Sequence, residues 1–131
     1  MNPKPPVQYV LVRADLPIVI QLVQVGHACG EAIQVAPISR ETHIRLLHVA
    51  DEAELRAHSS KLAAKGFHHA LVCEPDAPYN GQAMALATEP SIERISALGK
   101  LFYHLLPASF LSDRKFYCDF ECAEMDGACS K

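Results

Sequence analysis

The sequence predicts an α/β fold of three layers (α/β/α), in which a mixed four-stranded sheet lies between helices and the elements follow the order βαβαββα. Short runs of β-branched, aromatic and aliphatic residues alternate with longer segments of helical character, which is typical of strand–helix–strand units. Such units imply parallel pairing, whereas a loop joining the last two strands allows an antiparallel pair. The chain of 131 residues, half of them hydrophobic, is long enough to bury one core without metal or disulfide support.

The chain begins with a lead-in, a strand and a long helix. Residues 1–6 are proline-rich and indicate an extended segment, and the nearly continuous apolar run Val7–Val12 predicts a strand that is covered on both faces. A helix is expected over residues 18–35, with either Asp15 as its cap or Pro17 in the turn before it.

This first helix carries two glycines and no clean apolar stripe. Its larger apolar side chains are spread around the helix axis, so we expect the helix to be largely buried. Gly26 and Gly30 each lower helix stability by roughly 1 kcal/mol relative to alanine. We therefore expect them to allow close approach of a neighbouring strand or of a ligand.

A second strand and a second helix follow. The run Ile44–Val49 predicts the strand, and the helix is expected over residues 51–65, where Gly66 stops it. Acidic residues crowd the first turn of this helix and lysines its last turn, as the helix dipole favours. The residues expected on its inner side recur at helical spacing: Leu55, His58 and Leu62.

The last part of the domain is predicted as two strands and a helix. His69–Cys73 and Gln82–Thr88 are interpreted as strands joined by a turn-rich loop, and a helix is expected over residues 90–106. Beyond it, no sustained periodicity is seen. The predicted organisation is therefore a lead-in at 1–6, a domain at 7–106 and an acidic, cysteine-containing tail at 107–131.

The charges are unevenly distributed along the chain. It carries 12 basic and 15 acidic residues, a net charge of −3. Residues 116–131 hold four acidic residues and one lysine, so the whole excess of negative charge lies in the tail and the remainder is neutral. A neutral domain does not exclude a nucleic-acid ligand, but it argues against tight binding of phosphates.

Composition favours a cytoplasmic protein with no membrane partner. The longest apolar stretch, Leu16–Ile20, is far short of a membrane span, and the first residues lack the apolar segment of a signal peptide. The odd number of cysteines, five, disfavours a disulfide framework. Because the spacing of Cys118, Cys122 and Cys129 is unlike that of a zinc finger or ribbon, no metal is expected.

Two pairs of side chains are candidates for chemistry. Gln24 and His27 lie three apart on the first helix and are expected to share a face, where they could orient a water molecule or a carbonyl group. The alternative is a histidine satisfied in the core. Glu74 and Asp76 follow a strand at the carboxyl edge of the sheet, where α/β proteins bind ligands and a carboxylate can act as general base. The alternative for this pair is ordinary loop solvation.

Four segments form a series of short motifs. Arg13–Leu16 ends the first strand, Gln24–Ala28 lies on the first helix, Asp51–Leu55 begins the second helix, and Glu74–Asp76 follows the third strand. In sequence and order, over residues 7–106, they resemble the archaeal and eukaryotic type (type II) peptidyl-tRNA hydrolases. The closest resemblance is to the divergent subgroup described as peptidyl-tRNA hydrolase domain-containing proteins.

The resemblance implies hydrolysis of the ester that joins a peptide, or an acylated amino acid, to tRNA. It implies Asp76 or Glu74 as the base that activates water, with Gln24 and His27 positioning water or substrate. The residues implied in substrate binding are Asp15, Gln82 and Arg13. It further implies tRNA as a weakly bound partner, a homodimer, and neither metal nor other cofactor.

The chain departs from the family at its catalytic lysine. That position is Ile20 here, and isoleucine can neither hold a phosphate nor stabilise an oxyanion. The family's threonine on the fourth strand falls near Gln82 or Met84. Weak hydrolysis is therefore the expectation, and the alternative is a non-catalytic module on the same fold that binds tRNA or a protein. A third interpretation is a ferredoxin-like regulatory domain, whose elements follow the order βαββαβ.

Overall fold

A computed structural model describes residues 4–93, 95 and 98 of the chain. The elements within this part are β1 (Val7–Arg13), α1 (Ile18–Val35), β2 (His43–Val49), α2 (Glu52–Ala64), β3 (His69–Glu74) and β4 (Gln82–Thr88). Their order confirms the prediction βαβαββ and differs from that of a ferredoxin-like domain. The predicted helix over 90–106 falls mostly outside the described residues. Its expected start is not helical, because Ser91 forms a β-bridge with Val7.

The strands form one mixed sheet in the order β2-β1-β4-β3. β1 pairs with β2 in parallel, from Val7 opposite His43 to Arg13 opposite Val49. β4 is antiparallel to both of its neighbours, β1 and β3. It follows that β1, β2 and β3 all end at the same edge of the sheet, which is also the edge where β4 begins.

The two helices cover opposite faces of this sheet. Leu11 of β1 packs in one apolar cluster with Leu55 and Leu62 of α2, whereas the next residue, Val12, packs in another with Ala28 of α1. Because successive side chains of a strand point to opposite faces, α1 and α2 must lie on opposite sides. The three predicted layers are therefore confirmed, and every residue of β1 is buried, as expected for a strand covered on both faces.

α1 is mostly exposed, so the prediction of a largely buried helix is wrong. Its buried residues are Gln21, Gln24, Ala28 and Ala32. Its exposed large apolar residues are Val19, Leu22, Val23, Ile33 and Val35. Small alanine side chains bring the helix close to the sheet, which leaves the larger ones on the outside. By length and composition alone α1 could cross a membrane, yet in this fold it is the outer layer over β3 and β4.

The two glycines of α1 do not mediate a close contact within the described part of the chain. A Cβ atom built on Gly26 or Gly30 would meet no neighbouring heavy atom within 4 Å, leaving aside the helix's own backbone. Both residues lie on the solvent-exposed side of the helix. The expected approach of a strand is therefore wrong, because the sheet packs against the alanine side of α1 instead.

α2 has well-formed ends and a buried inner side. The side chain of Asp51 accepts a hydrogen bond from the backbone N–H of Glu54 at 2.9 Å, which caps the first turn. At the other end Gly66, with φ +80, and the residue after it donate backbone hydrogen bonds that close the helix. The residues predicted on the inner side are all buried: Leu55, His58 and Leu62. Burial lowers the pKa of His58.

Candidate functional site

The edge where β1 and β3 end gathers most of the residues that the sequence singles out. Glu74, the last residue of β3, lies opposite Gln82, the first residue of β4. Arg13 ends the neighbouring strand β1, and its side chain reaches Gln82. The N-terminal half of α1 brings Gln24 to the same edge, where it contacts Glu74. The predicted location at the carboxyl edge of the sheet therefore agrees with the observed geometry.

Gln24 and Glu74 form a direct contact between α1 and β3. The Nε2 atom of Gln24 donates to Oε2 of Glu74 at 3.2 Å, and Oε1 of Glu74 accepts the backbone N–H of Asp76 at 3.2 Å. Gln24 is only 3% exposed, and its Oε1 atom has no hydrogen-bond partner among the described residues. A buried acceptor left in this state costs about 1–3 kcal/mol, so the position is suited to a donor from water or from a ligand.

Gln21 lies one turn before Gln24 and, like it, has a buried side-chain oxygen that accepts no hydrogen bond from the described residues. Its Nε2 atom donates to the carbonyl oxygen of Leu16 at 2.8 Å, while its Oε1 atom is buried without a partner in the described part of the chain. Residues three apart on a helix are neighbours, so the two side chains that carry unpartnered amide oxygens are adjacent on α1. Sequence reasoning missed Gln21. The signal that could have identified it is a pair of glutamines at this spacing within residues 18–25, which are otherwise apolar.

Arg13 is held on several sides by hydrogen bonds. Its Nε and Nη2 atoms donate to the two carboxylate oxygens of Asp15 at 2.9 and 2.8 Å. Its Nη1 atom donates to Oε1 of Gln82 at 2.9 Å and to the carbonyl oxygen of Ala83 at 3.1 Å. The hydrogen bond from Arg13 lowers the pKa of Asp15 below its ordinary value of 3.8, and the same bond raises the pKa of Arg13. Arg13 is thus bonded to both of the other implied substrate-binding residues, Asp15 and Gln82.

Glu52 completes this arrangement from the first turn of α2. Its Oε2 atom accepts the backbone N–H of Ala83 at 2.6 Å and also accepts from Nε of Arg56 at 3.2 Å. The bond from Ala83 lowers the pKa of Glu52. β4 bulges at this point, because Cys73 pairs with Ala83 and Val72 with Ala85. Sequence reasoning assigned the acidic residues here only to the helix dipole, and nothing in the periodicity marks the bulge.

His27 and Asp76 are not bonded to the cluster by their side chains. His27 is exposed, and its ring makes no hydrogen bond within the described residues. It therefore does not share the buried environment of Gln24, although the two are three residues apart. Asp76 is exposed in the loop after β3, where its carbonyl oxygen accepts the backbone N–H groups of Tyr79 and Asn80. Ile20 is half-buried, four residues before Gln24 and hence adjacent to it on α1.

The arrangement offers carboxylate and amide chemistry. Among the described residues, no group of three histidine, cysteine, aspartate or glutamate side chains lies close enough to hold a metal ion. The tail cysteines Cys118, Cys122 and Cys129 lie outside those residues. What the geometry supplies is an oriented carboxylate at Glu74, a second carboxylate nearby at Asp76, and buried acceptors on α1.

The fold and this edge define an α/β protein with a polar, carboxylate-containing site at the carboxyl ends of parallel strands. A scan against models of protein families finds no match for the chain, and a search of curated proteins finds none either.

Proposed function

We propose that the chain is a peptidyl-tRNA hydrolase-like carboxylic ester hydrolase, which cleaves the ester between a peptide, or an acylated amino acid, and tRNA. The observation that carries this proposal is the contact between Gln24 and Glu74, in which a buried amide oxygen without a partner lies beside an oriented carboxylate. Such a combination binds and activates a water molecule next to an ester carbonyl.

The proposed step uses the carboxylates and the amide in different roles. Glu74 or Asp76 takes a proton from a water molecule, whose oxygen attacks the carbonyl carbon of the ester. The bond from that carbon to the ribose oxygen breaks, and the ribose oxygen receives the proton. Both carboxylate oxygens of Glu74 already accept one hydrogen bond, and each retains a lone pair for the water. The Oε1 atom of Gln24 accepts a hydrogen from the same water or from an N–H group of the substrate.

The site holds no cation that can reach a phosphate or a developing oxyanion in the described part of the chain. Ile20 adjoins Gln24 with an apolar side chain, and the guanidinium of Arg13 is engaged by Asp15 and Gln82. Stabilisation of the oxyanion is commonly worth a factor of about 10²–10³ in rate. We therefore expect slow turnover and weak tRNA binding.

A peptidyl-tRNA hydrolysis assay on the purified full chain tests the assignment. Combining Glu74→Gln, Asp76→Asn and His27→Ala is expected to reduce the rate by about 10²-fold or more, since these changes remove the proposed base and the implied orienting group. Glu41→Gln, an exposed carboxylate outside the site, is the control. Unchanged activity in the triple variant would exclude this site.

A second variant tests the role of position 20. Ile20→Lys is expected to raise the rate about tenfold or more, because it places a positive charge one turn from Gln24. Val19→Lys adds the same charge on the outer side of α1, where Val19 is 65% exposed. Equal rates for the two variants would contradict a decayed hydrolase site.

A non-catalytic binding module is the second candidate function. The observation that favours it is the exposed apolar side of α1, including Val19, Leu22 and Ile33, which offers a surface for another macromolecule. The folded chain should then bind tRNA at low salt without hydrolysing its ester. If the folded chain does not bind tRNA under those conditions, the chain is not a tRNA-binding module.

A further inference from the structure

A second group of polar side chains lies away from the carboxyl edge, on the α2 side of the sheet. Oγ of Ser59, on α2, is 2.7 Å from Nε2 of His69, the first residue of β3. Nδ1 of the same ring is 3.3 Å from the carbonyl oxygen of Phe67. Because Glu74 ends β3 and His69 begins it, this pair is at the opposite end of the strand from the site described above.

The two contacts of the ring determine where the hydrogen atoms lie when the imidazole is neutral. A carbonyl oxygen can only accept, so Nδ1 carries the ring hydrogen and donates it to Phe67. Nε2 is then left as an acceptor, and the Ser59 hydroxyl must donate to it. A serine hydroxyl that donates to a histidine held by a bond at its other nitrogen has the geometry of an activated nucleophile.

A cavity adjoins this pair. It has a volume of about 270 Å³ and is lined by Ala63, Gly66, Phe67, His68 and His69. Ser59 is not itself a lining residue, but its hydrogen-bond partner His69 lines the cavity, and so does Ala63, one turn after Ser59 on α2. Both Ser59 and His69 are half-buried, so a small molecule can reach them. The volume is just below the lower end of the roughly 300–1,000 Å³ that is typical of ligand pockets, so the cavity fits a small ester with a short acyl group.

We propose that Ser59 is a nucleophile that accepts a short acyl group from an activated ester bound in this cavity, with His69 as its general base. The Oγ atom of Ser59 forms a bond to the carbonyl carbon, and the hydroxyl proton passes to Nε2 of His69. The bond between the carbonyl carbon and the leaving oxygen then breaks. That oxygen takes the proton from His69 and departs as the alcohol, which leaves an acyl ester on Ser59. The backbone carbonyl of Phe67 positions the ring.

Acetylation of the full chain by p-nitrophenyl acetate tests this inference. Peptide mapping by mass spectrometry compares Ser59 with Ser60, its exposed neighbour on the same helix. We expect an acetyl group on Ser59 and not on Ser60. This comparison is made inside one unmodified protein, so it does not depend on the folding of any variant.

Three variants separate an activated serine from a structural hydrogen bond. His69→Gln keeps hydrogen-bonding capacity but removes the base, and is expected to slow acetylation of Ser59 by about 10²-fold or more. Ala63→Phe fills the cavity and should slow labelling while leaving the pair intact. Ser60→Ala should have no effect. Equal labelling of Ser59 and Ser60, or an unchanged rate in His69→Gln, would overturn the proposal.

Discussion

Arg13 connects three parts of the fold through a single side chain. The Arg13 side chain is 8% exposed, and its guanidinium bonds Asp15 in the turn after β1 and reaches Gln82 and Ala83 of β4. Glu52 binds the N–H group of Ala83 from the other helix layer. The backbone of the β4 bulge is therefore held at its carbonyl by a cation and at its amide by an anion. This arrangement fixes the position of Gln82 beside Glu74.

Arg13→Lys is expected to lower the free energy of unfolding by about 2 kcal/mol. An ammonium group cannot bind both oxygens of Asp15 and also reach Gln82, because it lacks the planar fork of the guanidinium. Urea denaturation measures the loss. Arg56→Lys is the matched control, since the Arg56 side chain is 50% exposed and its ion pair with Glu52 is expected to contribute much less to stability. Equal losses in both variants would contradict the structural role of Arg13.

The Asp15 carboxyl gives the protein an acid-sensitive contribution to stability. Its pKa is lowered in the folded state, mainly by the hydrogen bond from Arg13, so the unfolded chain binds the proton more readily. The contribution is therefore present above pH 3.8, the ordinary value, and is lost as the pH falls through the lower pKa of the folded state. Urea titrations at a series of acidic pH values should show a smaller decline for Asp15→Asn than for the unchanged chain. An identical decline in the two proteins would show that this pair is not the source.

The sequence predicted most of the residues that meet at the site, but it did not predict which of them contact one another. Arg13, Glu74 and Gln82 do meet at one edge, because the fold class fixes the strand ends that carry them, and α1 brings Gln24 to the same edge. Gln21 and Glu52 were missed, and His27, which was expected to share a face with Gln24, is exposed while Gln24 is buried. Those details depend on the rotation of α1 against the sheet and on a one-residue bulge in β4. Neither leaves a periodic signal in the sequence.

At the level of elements, α1 has the predicted bounds but is mostly exposed, whereas the prediction was a largely buried helix. Periodicity arguments assign large apolar side chains to the core. Here Ala28 and Ala32 face β3 and β4 with almost no exposure, so the helix axis lies close to the sheet. Ile33 and Val19, which are larger, lie outside. The bounds of β4 were also predicted correctly, whereas its bulge was not.

Replacement of the α1 glycines is expected to stabilise the protein. Gly26→Ala and Gly30→Ala should each raise the free energy of unfolding by about 0.5–1 kcal/mol, because alanine favours the helix and the added methyl group meets no neighbour in the described structure. Thermal and urea unfolding measure the change. Gly66→Ala should do the reverse, since its φ of +80 is unfavourable for a residue with a side chain. A loss of stability in Gly26→Ala or Gly30→Ala would indicate that another surface packs on this side of α1.

At the scale of the whole molecule, the order of strands and helices predicts the fold, whereas the net charge bears only on the binding of phosphates. The alternation of strand and helix predicted the three layers and the mixed sheet, because each element must cover its apolar side with another layer. The same alternation is compatible with many activities, so the proposed hydrolysis rests on a handful of side chains at the carboxyl edge. Net charge adds only that the neutral part of the chain lacks a strong attraction for phosphates.

Deletion of residues 116–131 is expected to increase the affinity of the chain for tRNA. The deleted segment carries a net charge of −3, which opposes binding of a polyanion at low ionic strength. Filter binding or fluorescence anisotropy at low salt measures the change, and the difference between the two proteins should shrink as salt is added. A deletion variant with unchanged affinity at low salt would rule out competition by the tail.

The position of β4 between β1 and β3 has a consequence for how the chain acquires its fold during synthesis. β1, α1 and β2 form a complete parallel unit once residue 49 has been made, but the other edge of β1 pairs only with a strand that ends at Thr88. The hydrogen bond from Tyr9 to Thr88 spans 79 residues of sequence. Until that strand arrives, one edge of the largely apolar strand β1 stays unpaired in the nascent chain and is a template for pairing with another chain. We therefore expect the nascent chain to be prone to aggregation between translation of residues 49 and 88.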